Sequence, residues 1–140
     1  MTDAVHLASG MDVLRISLHV LAASVWVGGQ IVLAGLVPVL REAGDGVPQK
    51  AARAFARLSW PAFVLAVVTG FWNYAVISYH HTLPYSWQMV FGVKFLLVLA
   101  AGAGAYLHSK AQTASRRGAT AGIGLLASLI AMVLGVALAG

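Results

Sequence analysis

The sequence predicts an all-α integral membrane protein, a four-helix up-down bundle with both termini outside the cell (inner) membrane. Three observations predict it. Of 140 residues, 60% are hydrophobic and only 9% charged, against about a quarter charged in soluble domains. Mean hydropathy is +0.85, more apolar surface than one small core could hide. Apolar stretches long enough to cross a bilayer, about 20 residues each, occur four times.

The first span runs over about 13–40. The second covers about 58–77 and is entered at Trp60-Pro61, where a proline is tolerated in a first helical turn. A third covers about 89–108, and a fourth, 118–138, has almost no polar side chain beyond Thr120 and Ser128. Short loops favour antiparallel neighbours and a single domain over 1–140. The N-terminal MTDAVHLASGMD is acidic and shows no clear cleavage site, so the first span is expected to be retained.

Orientation follows from the charges. The net charge is +5. Arg41, Lys50, Arg53 and Arg57 lie in the first loop against Glu42 and Asp45, and Lys110, Arg116 and Arg117 lie in the third with no acid. Residues 73–88 hold no Lys, Arg, Asp or Glu. The positive-inside rule puts loops one and three in the cytoplasm. The basic balance thus belongs to a membrane surface, and no nucleic-acid partner is expected.

The chain has no cysteine, which excludes disulfides and thiolate metal sites. No carboxylate lies inside a span, and no nucleophile motif or phosphate-cradling glycine loop is present, so no catalytic residue is assigned. Small residues recur at four-residue spacing: Ala100 with Gly104, Gly118 with Gly122, Gly124 with Ser128, and Ala127 with Ala131 and Gly135. Such spacing lets helices approach closely in lipid, within one chain or between copies.

Polar residues inside spans are the functional candidates, since an ionisable group there is costly. His19, Ala23, Trp26, Gln30 and Leu33 share one helical stripe. Lys94, Val98, Ala101, Ala105 and His108 share another. His19 lies about 9 Å into its span and Lys94 about 8 Å, with Thr69, Trp72 and Asn73 at the same outer level. The structural readings are a core histidine bonded to a carbonyl or to Asn73, and a lysine snorkelling to the interface. The functional one is a shared outward pocket, in which a neutral imidazole ligates a metal and Lys94 pairs with an anion such as a haem propionate. The outer loop NYAVISYHHTLPYSWQM adds His80, His81 and Met89, with His6 and Met11 on the same side. Imidazole suits copper or iron and thioether suits Cu(I). Tyr74, Tyr79, Tyr85 and Trp87 fit an interfacial aromatic belt, His108 an inner interfacial residue or second ligand, and Gly28-Gly29 a close approach of helix or flat cofactor.

These residues carry a resemblance. LHVLAASVWVGGQIVLAGLVPVLR, through His19, Trp26, Gly28 and Gly29, resembles the first conserved helix of the CopD (copper resistance D) membrane domain. RAFARLSWPAFVLAVVTGFWN is similar to its second segment through Arg53, Phe55, Arg57, Thr69, Gly70 and Asn73, and GVKFLLVLAAGAGAYLH to its third through Lys94 and His108. The wider superfamily includes HemJ-type protoporphyrinogen oxidases, which His19 and Lys94 also resemble.

The resemblance implies copper bound at an outward His/Met site made of His19, His80, His81 and Met89, for uptake or delivery. Its alternative is a b-type haem or porphyrin protein, with His19, Trp26, Lys94 and Asn73 about the cofactor. A third reading is an accessory subunit of a larger, respiratory membrane complex, or a homo-oligomer, docking through small-residue helix faces.

Overall fold

The computed structural model describes residues 7–139, and His6 lies outside them. It has four helices: α1 (Gly10–Glu42), α2 (Val47–His80), α3 (Tyr85–Lys110) and α4 (Ala114–Ala137). All four are long and apolar enough to cross a membrane, so the expected fold class is the observed one.

Local signals start each helix. The Ser9 hydroxyl oxygen accepts from the Asp12 N–H at the head of α1. Gly46, at φ 79°, turns the chain into α2, with a proline in the first turn. Thr113 caps α4 through the Arg116 N–H. These devices satisfy end groups that a helix cannot bond internally.

Two boundaries correct the expectation. Helix α2 begins at Val47 rather than near 58, so Lys50, Arg53 and Arg57 are helical and the first connection is only 43–46. Pro61 is therefore inside the helix, not in its first turn. The loop expected over 73–89 shrinks to 81–84, because α2 runs to His80 and α3 starts at Tyr85. Apolarity marks only the stretch within lipid. KAARAFAR is basic, and its Ala, Lys and Arg are strong helix formers; at 34 residues α2 reaches about 50 Å, well beyond the hydrocarbon core.

The interior is small and the exterior large. Ala22, Ala62, Ala101, Ala127 and Ala131 are buried, whereas Val20, Leu96, Leu126 and Val136 are exposed. That inversion suits a solvent as apolar as leucine, in which helices associate by close backbone contact. Helix α1 packs along α2 and α3 along α4, and backbone contact between the hairpins is made by α1 with α4. At the α3–α4 crossing a methyl added to Gly104 would stand 3.0 Å from the Gly124 Cα. The small-residue pattern is thus used within the chain at Gly104, Gly124, Ala127, Ser128 and Ala131, while Gly118 and Gly122 meet nothing within 4 Å.

Aromatic rings fill the α2–α3 seam. Tyr74 stacks on Phe91 with centroids 4.5 Å apart, Phe91 stacks on Trp87, and Phe71 meets Phe95 edge-on at 5.1 Å. Of the expected belt, Tyr79 and Tyr85 project outward, while Tyr74 and Trp87 turn into this stack.

Candidate functional site

His19 and Lys94 occupy matching positions along their helices. Each stands nine residues beyond its helix start, at Gly10 and at Tyr85, or about 14 Å along the axis. The Lys94 Nζ reaches across to α4, where a methyl added to Gly135 would be 2.9 Å away. The one ion pair among the described residues joins Arg15 and Asp12, so no carboxylate pairs with Lys94.

The hydrogen bonds of His19 fix its tautomer. Nδ1 is 2.9 Å from the Thr69 hydroxyl oxygen. That hydroxyl has one proton, directed to the Leu65 carbonyl at 2.6 Å and secondarily to Ala66 at 3.3 Å. Thr69 therefore accepts and His19 Nδ1–H donates, which leaves the lone pair of a neutral imidazole on Nε2. Orientation of one ring nitrogen by such a bond is what metal-ligating histidines display. The ring lies along α2 because residue 70 is glycine: a methyl there would sit 3.3 Å from His19 Cε1. Thr69, 2% exposed, is the best-buried side chain of the set.

Asn73, one of the two partners considered for His19 beside a backbone carbonyl, does not bond it. Its Oδ1 accepts from the Arg15 guanidinium instead, and a second nitrogen of Arg15 bonds Asp12 Oδ1 at 2.7 Å. Arg15 is the residue that the sequence reading missed. It falls within the span placed over 13–40, four residues before His19 on the same face, and is only 5% exposed. The signal was the one applied to His19, an ionisable side chain in an apolar run. Its Nε is buried with no hydrogen-bond partner, a state costing about 1–3 kcal/mol for a neutral group and more for a charged one.

Asp12 precedes the apolar span. Hydrogen bonds from the Arg15 guanidinium and then from Ser9 hold its carboxyl below the ordinary carboxylate range.

Arg15 opens on a hollow of about 320 Å³ between the ends of α1 and α2. Asp12, His80 and His81 line it with Arg15. His80 ends α2 and His81 caps it in extended conformation. Met89 is elsewhere, in a hollow on α3 with Gln88, Gly92 and Phe95. The structure thus gathers two of the four residues expected to share a metal, with His19 bonded to α2 and Met89 apart. Among the described residues no group of three or more His, Asp or Glu is placed to hold a metal ion.

Trp26 is a packing residue in this arrangement. It is 6% exposed, donates its indole N–H to Ser128 Oγ at 3.1 Å and packs on Trp60 and Phe63. Gln30 bonds the Trp26 carbonyl within the helix at 2.9 Å. The two glycines differ, since Gly29 lies against the Phe55 ring, whereas a methyl on Gly28 would meet nothing within 4 Å. At the opposite end His108 donates Nδ1–H to the Arg117 carbonyl at 2.8 Å and ties α3 to the start of α4.

No known protein family, curated protein or solved structure matches the chain.

Proposed function

We propose that this chain is a CopD-like inner-membrane protein in which His19 ligates a metal-centred group, and that a b-type haem or related porphyrin fits it best. The observation that carries the reading is the His19–Thr69–Leu65 relay, which leaves Nε2 free as a ligand. A porphyrin brings four donors of its own, so a single oriented imidazole suffices. A copper ion held by protein alone needs several converging side chains. Lys94, without a carboxylate, is a cation suited to the acidic side groups of such a cofactor. Haem would supply one-electron redox chemistry, and the chain would hold it and set its axial donor.

Copper is the second reading. Its support is that His80 and His81 open on one hollow with Asp12. Arg15 in the same hollow opposes a cation, which ranks copper lower. Docking to a second copy or to a larger membrane complex is supported only by the exposed row Ile123, Leu126, Ile130 and Val133 on α4. The basic residues at the end opposite the termini support termini outside.

The test is the oxidised and dithionite-reduced absorption spectrum of protein purified in detergent from haem-replete cells. A Soret band with sharp reduced bands, lost in His19→Ala and kept in His81→Ala, is expected. A featureless spectrum would remove the haem reading and leave copper titration to decide the second.

A further inference from the structure

A buried guanidinium with one N–H left unpaired calls for a further acceptor. Arg15 uses two of its five N–H groups, on Asn73 and Asp12. Its Nε–H is buried without a partner, and the side chain lines the hollow. Both oxygens of Asp12 are already engaged, Oδ1 by Arg15 and Oδ2 by the Ser9 hydroxyl at 2.7 Å. Asp12 therefore fixes the guanidinium plane. His80 and His81 add ring N–H donors at the rim, and Ile16, Val76 and Ile77 form apolar walls.

We propose that this hollow binds a phosphate-type oxyanion, Arg15 holding its oxygens and the two histidines closing the rim. Guanidinium forks match phosphate oxygens, and charge-assisted bonds of this kind are the strong ones. The place in the fold adds to the chemistry. The hollow lies at the end of two spanning helices, where headgroups stand, and its apolar walls continue down the helices as an acyl chain would. A phospholipid phosphodiester and free phosphate share this recognition. The site needs nothing from His19 and stands apart from the reading of His19 as a ligand.

The experiment is native mass spectrometry of the full chain in detergent, titrated separately with phosphatidylglycerol, phosphatidylcholine and inorganic phosphate. Wild type, Arg15→Lys and Ile77→Trp are compared. Arg15→Lys keeps the charge and loses the fork, and Ile77→Trp fills the hollow with Arg15 left in place. Each variant is first checked for an unchanged helical spectrum, and Ile77→Trp carries the test if Arg15→Lys fails to fold.

One retained phosphatidylglycerol per chain, weakened at least tenfold in each folded variant, is the expected result. Equal retention of phosphatidylcholine assigns the site to the phosphodiester whatever the headgroup. Retention of phosphate alone, lost in the variants, assigns it to the free ion. Binding of all three probes that is absent, or equal in wild type and Ile77→Trp, overturns the proposal.

Discussion

His19 donates its Nδ1–H to the Thr69 hydroxyl oxygen at 2.9 Å, and Thr69 donates its own O–H to the Leu65 carbonyl at 2.6 Å. The direction of the first bond follows from the second, because a hydroxyl has a single proton. A backbone carbonyl on α2 thus determines which nitrogen of a histidine on α1 is free.

Thr69→Val keeps the branched shape and removes the acceptor. The cost expected is up to about 1–3 kcal/mol, from a part-buried Nδ1–H left without a partner, read as a lower melting temperature in detergent. If His19 holds a metal group, affinity also falls about 10–100-fold as the ring loses its orientation. Thr69→Ser should restore both. A valine variant as stable as wild type would show that the relay contributes nothing.

Trp26 bonds Ser128 across the α1–α4 contact, so bond and ring can be weighed separately. Interhelical hydrogen bonds in membranes average about 0.6 kcal/mol, whereas deleting a buried tryptophan ring costs about 3–5 kcal/mol. Trp26→Phe should therefore be mild and Trp26→Ala severe in thermal unfolding. In a double-mutant cycle, Ser128→Ala should couple to Trp26→Phe by less than about 1 kcal/mol. A larger coupling would make the bond, not the packing, the main contribution.

The glycines divide by what a methyl would meet. Gly104→Ala places it 3.0 Å from the Gly124 backbone, which a side-chain rotation cannot relieve. A loss of about 1–3 kcal/mol is expected from this overpacking. Gly122→Ala meets open space and should gain up to about 1 kcal/mol from helix propensity alone. Equal effects in the two variants would contradict the α3–α4 crossing.

Acid should loosen the head of α1. Asp12 has a lowered pKa in the folded state, first through the bond from Arg15 and then through that from Ser9. Its contribution is present above the ordinary carboxylate value and is lost as pH falls through the lowered one. Melting temperatures of wild type and Asp12→Asn should thus differ at neutral pH and converge in that acidic window. A constant gap down to the most acidic point would rule out Asp12 as the titrating group.

Fold class was legible in the sequence because the solvent imposes it. A chain 60% hydrophobic must satisfy its backbone internally in lipid, and helices do so segment by segment. Helix ends were less legible, because apolarity reports the hydrocarbon boundary while Lys50, Arg53 and Tyr79 extend α2 past it. Matching positions of His19 and Lys94 along their helices were readable, since position is counting along a helix of fixed rise.

Partners were not readable from one sequence, and only the tertiary structure decided them. Asn73 went to Arg15 and Thr69 to His19, a choice set by the relative rotation of α1 and α2. That rotation depends on where Gly70 lets an imidazole lie flat and Gly29 admits Phe55. Sequence periodicity places residues on the face of one helix. Which face it meets, and at what rotation, is fixed by side-chain packing between helices far apart in the chain.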